Sequence, residues 1–244
     1  MLLDLPRFDS PELLDLNVGS LDEAALSLTD LRRINRWLGG WDTLARHLLP
    51  RLRDVAPTSQ QPLVVADIGA GAADLPVAIV RWARRQGIAV RVLAVDLNQR
   101  HLAIARAWLT GYPEIQLVAA EAGNLPLDLH VDYIVASLFL HHFPPPTVAA
   151  FLRSWYATAR RGVIANDLIR AWPPYLGYYL LQPVIARSYL TRYDAPLSIR
   201  RAYTRREMRE LARAAGVPAQ VYWHWPWRLA LVADKASVSG VGEA

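Results

Sequence analysis

Cysteine is absent from the 244 residues, which excludes disulfides and thiolate metal sites and leaves a cytoplasmic location as the simple expectation. Lysine is nearly absent too. Lys235 is the single one, so the formal net charge of +5 comes from arginines spread over many segments, not gathered into the basic stripe a nucleic acid needs. Uncharged runs are short, and none is long enough to span a bilayer. The first residues carry Asp4, Asp9, Glu12 and Asp15 where a secretory leader carries basic residues and an apolar core. Repeats and low-complexity tracts are missing. What the chain does have is apolar content, 53%, enough for one sizeable core and hence a single domain with appendages.

The most informative stretch is Val64-Val65-Ala66-Asp67-Ile68-Gly69-Ala70-Gly71-Ala72-Ala73-Asp74-Leu75. An apolar, β-branched run enters a turn with two glycines one residue apart, and Leu75, Ala78, Ile79 and Trp82 then share one helix face. Strand, tight turn and helix in this order suit a nucleoside-containing ligand. Glycine permits the sharp bend and removes the Cβ between ligand and main chain, beside the positive end of the helix dipole. A dinucleotide fingerprint places its third glycine at position 74, where this chain has Asp74. That carboxylate repels a pyrophosphate and welcomes the ammonium of an amino-acid tail, so S-adenosylmethionine fits the loop better than NAD. A second apolar run, Val90 to Val95, ends in Asp96-Leu97-Asn98 one βαβ unit further on. An acid at that strand end accepts from both hydroxyls of a ribose. The alternative is that Asp96 or Asn98 caps the helix bearing Leu102, Ala105 and Leu109.

Asp67-Ile68-Gly69-Ala70-Gly71, Asp96-Leu97-Asn98, Glu121-Ala122-Gly123-Asn124-Leu125-Pro126 and Asp132-Tyr133-Ile134-Val135 through Leu140-His141-His142 resemble, in order and spacing, the class I S-adenosylmethionine-dependent methyltransferases. The similarity runs roughly from Arg53 to Ala233. In finer detail Leu31-Arg32-Arg33-Ile34-Asn35-Arg36-Trp37-Leu38-Gly39-Gly40 and Asn166-Asp167-Leu168 resemble small-molecule methyltransferases found with bacterial polyketide pathways. The resemblance implies a Rossmann-like α/β fold with a mostly parallel seven-stranded sheet and an antiparallel C-terminal edge. It also implies a cofactor set of Asp67, Gly69, Ala70, Gly71, Asp74, Asp96, Leu97, Glu121, Ala122 and Ser137. The family more often has aspartate where this chain has Glu121. An N-terminal prefix in this family folds over the cofactor mouth, where Arg33, Asn35 or Arg36 would meet the methionine carboxylate.

In chain order, residues 1–60 read as an N-terminal helical cover: a turn-rich lead to Gly19, then a helix opened by a capping box at Ser20-Leu21-Asp22-Glu23 and stopped by Gly39-Gly40. A second helix through Leu44, Leu48 and Leu52 ends at Pro50 and the polar linker beyond it. Residues 61–170 form the core, with strands near 63–68, 91–95, 115–119, 131–136 and 162–166 and helices near 73–86, 99–109 and 146–160. This alternation implies right-handed crossovers and a ligand beyond the carboxyl ends of the strands. Residues 171–203 are an inserted substrate lid, with Tyr175, Tyr178, Tyr179 and Tyr193 for an aromatic acceptor and an apolar helical stripe interrupted by Pro183. Residues 204–236 hold a capped helix and two antiparallel edge strands, and 237–244 a flexible tail.

The chemistry is placed after the fourth strand, at Ser137 to Phe143. Methyl transfer from a sulfonium needs mainly alignment and desolvation, and a base only when the acceptor is protonated. His142 or His141 is the candidate base, with Asp167 orienting it. Trp172-Pro173-Pro174-Tyr175 follows the fifth strand, so it does not supply the Pro-Pro-aromatic lip of nucleobase methyltransferases. The expectation is therefore a cytoplasmic enzyme of secondary metabolism, without a metal, O-methylating a small phenolic or polyketide-derived acceptor. C-methylation of an aromatic or quinone-type ring and a non-catalytic S-adenosylmethionine-binding role stay open, as do contact of the lid with a membrane surface and a homodimer. An NAD-linked oxidoreductase lacks both the third glycine and a Tyr-x-x-x-Lys dyad.

Overall fold

The computed structural model describes residues 5–125 and 130–235. The expected flexible tail, and Pro126 of the third motif, lie outside them. One seven-stranded sheet organises the chain: β1 (Leu63–Ile68), β2 (Val90–Asp96), β3 (Ile115–Ala119), β4 (Tyr133–Ser137), β5 (Gly162–Leu168), β6 (Gln220–His224) and β7 (Arg228–Asp234). The order is β3-β2-β1-β4-β5-β7-β6, with β7 antiparallel to both neighbours and the other pairs parallel. Chain direction out of β1 reverses between β1 and β4, so the crevice of a doubly wound sheet opens above that pair.

Both sheet faces are buried, and alternate residues of each strand divide between two apolar layers. Val65, Val92, Ala94, Val135 and Ile164 face Leu44, Leu48, Leu52, Ile79 and Trp82 of α2 (Gly40–Val55) and α3 (Asp74–Gln86). Ala66, Leu93, Ile134, Val163 and Leu231 face Val148, Leu152 and Trp155 of α5 (Pro145–Thr158) and Met208 and Leu211 of α8 (Arg205–Ala214). Between β2 and β3 runs α4 (Gln99–Trp108). Over the carboxyl ends of the strands lie α1 (Leu21–Trp37), α6 (Trp172–Ile185) and α7 (Tyr189–Arg201), which pack on one another. No helix among the described residues is long and apolar enough to cross a membrane.

Three local expectations change. Pro50 sits inside α2 instead of ending it. Leu44, Leu48 and Leu52 are fully buried on either side of it, and that packing outweighs the hydrogen bond a proline removes. At α1 the Ser20 hydroxyl accepts from the Glu23 amide, but the Glu23 carboxylate does not return the bond; it accepts from Ser188 Oγ and the Tyr189 amide, tying α1 to α7. The inserted segment holds two helices, not one stripe, because Ser188 caps a fresh helix by accepting from the Leu190 amide.

Candidate active site

The turn after β1 is shaped by what surrounds it. Gly69 and Ala70 donate their amides to the Val95 carbonyl at 2.9 and 3.0 Å, pinning the turn to β2. Gly69 has φ +71°, and a Cβ there would collide with the Phe139 ring. Gly71, at φ +52°, meets only Leu28 Cδ2 at 3.5 Å, so its far side is open. Its amide donates to Asp96 Oδ2 at 2.8 Å, while Asp96 Oδ1 accepts from the Asn98 amide at 2.8 Å. Asn98, not Asp96, caps α4 by accepting from the Arg100 amide. Burial pushes the Asp96 pKa up, but the hydrogen bond and charge of His101, with the two amides, outweigh it and hold Asp96 below the ordinary carboxylate range.

A cavity of about 940 Å³ opens above this turn. Its wall includes Gly69, Gly71, Asp96 and Leu97, then Glu121 and Ala122, then His141, His142 and Tyr178. The other expected site residues stand behind or outside that wall. Asp67 is buried and Asp74 half-buried; Asp74 accepts from Asn35 Nδ2 at 3.3 Å, and neither carboxylate has an ion-pair partner among the described residues. Burial raises the pKa of both, and for Asp67 the charges of Asp74 and Asp96 raise it further. Ser137 accepts from Asn166 Nδ2 at 2.7 Å, and Ala70 packs beneath the turn with the apolar layer of α2 and α3. Tyr175, Tyr179 and Tyr193 are off the wall, the last two 48% and 55% exposed, so the expected tyrosine lining shrinks to Tyr178. The Tyr178 hydroxyl donates to the Thr191 carbonyl at 2.9 Å. Arg33 pairs with Asp30 at 3.0 Å and Arg36 is exposed, which leaves Asn35 as the member of that trio directed at the loop.

The two histidines occupy a single 3₁₀ turn, Leu140–His142, that follows Leu138 in the left-handed region at φ +54°. His141 is 2% exposed and sits between two carboxylates. Its Nδ1 lies 2.6 Å from Asp167 Oδ1, its amide donates to Asp167 Oδ2 at 3.1 Å, and its Nε2 lies 3.5 Å from Glu12 Oε1. Burial alone lowers a histidine pKa; Asp167 and Glu12 overcome it and push His141 up to about 10. The same pairing brings Glu12 down to about 2, against its burial and through the charges of His142 and His141. A proton-filled imidazole takes no second proton at neutral pH. His141 therefore holds its proton between Asp167 and Glu12 in the neutral range. His142 Nδ1 lies 2.7 Å from Asp15 Oδ2, and its ring stacks on His141 at 4.2 Å between centroids.

Glu12 and Asp15 escaped the sequence reading, although their signal was present as acidic density in the lead. The lead is clamped over the site by α7: Asp194 accepts from the Leu13 and Leu14 amides at 2.8 and 3.0 Å, Ser198 donates to Glu12 at 2.7 Å, and Arg201 donates to the Ser10 carbonyl at 2.7 Å. Arg228 was missed as well. It is 1% exposed, donates its Nε to the Leu38 carbonyl at 2.9 Å, and has no partner for either terminal nitrogen among the described residues. Glu12, His141 and His142 carry donor atoms within 4.8 Å of one another, a spacing a metal ion can bridge. The two histidine rings lie 30° from parallel, and the Nδ1 atoms of His141 and His142 already face Asp167 and Asp15.

Residues 65–162 match the family model described as a methyltransferase domain. No curated protein matches the chain. Among solved structures the chain is similar to a SAM-dependent methyltransferase from Aquifex aeolicus, at 15% identity and a TM-score of 0.53 over 79% of this chain and 92% of that one. It is similar also to magnesium protoporphyrin IX methyltransferase from Synechocystis PCC 6803 with bound SAM, at 14% identity and TM-score 0.55 over 90% of this chain and 100% of that one. A third is a putative O-methyltransferase from Nostoc punctiforme, at 20% identity and TM-score 0.52, covering 82% of this chain and 61% of that one. The matched segment carries the glycine turn, Asp96 and both histidines. The methyltransferase-domain model thus matches residues 65–162, and the fold around them is similar to that of the solved methyltransferases.

Proposed function

We propose that the protein moves a methyl group from S-adenosylmethionine to an oxygen of a small hydroxyaromatic, phenolic or polyketide-derived acceptor. The observation that carries this reading is that the glycine turn, Asp96 and the carboxylate-braced histidine pair share one cavity wall. The donor's features find complements in residues that otherwise lack them. Gly71 leaves open space beside main chain, and Asp96 keeps free lone pairs for ribose hydroxyls. Asp67, buried, and Asp74, half-buried, have no ion-pair partner among the described residues, and Asn35 Oδ1 is a buried acceptor without a partner among them, which suits an ammonium. Glu121 and Ala122 close the adenine end.

Bound S-adenosylmethionine supplies a methyl group already activated by its sulfonium. The chain's part is alignment, exclusion of water and the acceptor's proton. Leu28, Leu31, Phe139 and Phe143 on the wall favour an apolar ring. With its Nδ1 hydrogen engaged by Asp15, His142 presents Nε2 as the atom that takes the hydroxyl proton. His141 holds its own proton between Asp167 and Glu12 and fixes the His142 ring plane by stacking. We assign residues 1–60 and 171–203 as covers over a core of 61–170, with 204–236 completing the sheet edge.

The test is incubation with methyl-labelled S-adenosylmethionine and a panel of monohydroxy and dihydroxy aromatics. Labelled methyl ethers, with loss of label in His142→Ala at unchanged donor binding, support the reading. Label found on ring carbon, or none on any hydroxyaromatic acceptor, counts against it.

A further inference from the structure

Helix α6 is apolar on both of its sides. Over Trp172–Ile185 it has no Asp, Glu, Lys or Arg, and Pro174, Gly177, Tyr178, Leu181 and Ile185, at helical spacing, line the cavity. The opposite stripe faces outward: Leu176 is 56% exposed, Leu180 83% and Val184 67%, with Trp172 at 38% on the same side. Leu181 belongs to both surfaces, lining the cavity while 38% exposed, so the outer apolar face runs into the cavity wall. A helix without a polar side is at home between two apolar phases, and one of them here is water unless something covers it.

The charges around the face say what that cover is. From Ala171 to Asp194 the exposed charged residues are Arg187 and Arg192, and the stretch's one acid, Asp194, is buried against the lead. A second copy docked on the same face would bring four arginines together with no exposed acid from this stretch to answer them. Anionic lipid headgroups answer both, because the arginines meet phosphate while the leucines and Trp172 enter the acyl boundary. We infer that the outer face of α6, with Arg187 and Arg192 at its edge, docks on an anionic membrane surface and opens the cavity to apolar acceptors dissolved there. This deepens the proposed function by naming the phase from which an apolar acceptor is drawn, and it rests on that reading only for the acceptor, not for the docking.

The experiment is co-sedimentation of the full chain with phosphatidylcholine vesicles and with phosphatidylcholine–phosphatidylglycerol vesicles, beside S-adenosylhomocysteine titration of the same preparations. The wild type is expected to bind the anionic vesicles and release them at high salt. Leu180→Asp with Val184→Asp is expected to lose about tenfold or more of that binding. Arg187→Glu with Arg192→Glu is expected to abolish the preference for anionic lipid. S-adenosylhomocysteine binding should be unchanged in both variants, which separates failure of docking from failure of the methyltransferase reading. Wild-type protein that ignores both vesicles, or sediments no better than the aspartate variant, overturns the inference. So does a stable dimer in light scattering that dissociates in the aspartate variant.

Discussion

In the proposed function donor binding rests most on Asp96, whose two oxygens accept from the Gly71 and Asn98 amides and still have lone pairs to offer. Replacing it with alanine removes two charge-assisted hydrogen bonds to a ribose, each about 1.5 kcal/mol or more, so affinity for S-adenosylhomocysteine should fall at least about tenfold in a calorimetric titration. Unchanged affinity would mean that Asp96 serves only the turn. For His142→Ala the expected signature differs: kcat drops about a hundredfold or more while S-adenosylhomocysteine affinity holds. A rate equal to wild type from acidic to basic pH would leave positioning as the whole of catalysis. At this scale the sequence was informative about main-chain geometry and less so about side-chain partners. Gly69, Gly71 and Asp96 could be placed because strand, turn and helix are local. Glu12 and Asp15 reach the histidines across well over a hundred positions, which no local pattern encodes.

Among the elements, the turn after β1 and the clamp of α7 on the lead make separable predictions. Gly69→Ala places a Cβ at φ +71° against the Phe139 ring, whereas Gly87→Ala, at φ +65°, meets nothing within 4 Å. The second should cost about 1 kcal/mol from backbone strain alone, and the first distinctly more, read as a melting temperature lower by several degrees. Equal losses would show that Phe139 moves freely out of the way. The clamp should show in pH dependence. His141 is raised from 6.5 to about 10, so its contribution is whole below pH 6.5 and is lost as pH rises towards 10. Glu12 is lowered from 4.5 to about 2, so its contribution is whole above pH 4.5 and is lost as pH falls towards 2. The melting-temperature difference between wild type and His141→Gln should therefore be largest between those limits, near pH 4.5 to 6.5, and shrink on the alkaline side; a difference that is flat to pH 10 would contradict the ion pairs. The core strands were readable to within two residues at each end because buried parallel strands are continuous apolar runs. The start of α7 was not, since its cap at Ser188 lies in a stretch dense in aromatics with proline on both sides, at Pro183 and Pro196.

At the scale of the whole molecule, two apolar layers hold a sheet whose reversal point opens under α1, α6, α7 and the lead. In the proposed function those upper pieces select the acceptor, while the sheet and its turn hold the donor. The family resemblance was legible because the donor half is built from local motifs in fixed order. The acceptor half is assembled from four distant segments, so its lining could be guessed only by composition, and three of the four expected tyrosines stand off the wall. In the proposed function this wall binds S-adenosylmethionine and not a dinucleotide. Isothermal titration of the full chain with S-adenosylhomocysteine, with NAD as the comparison ligand, tests it most directly. Micromolar binding of the first and none of the second is the predicted result. NAD binding, or heat from neither ligand, would contradict the claim and return Gly71, Asp67, Asp74 and Asp96 to the scaffold.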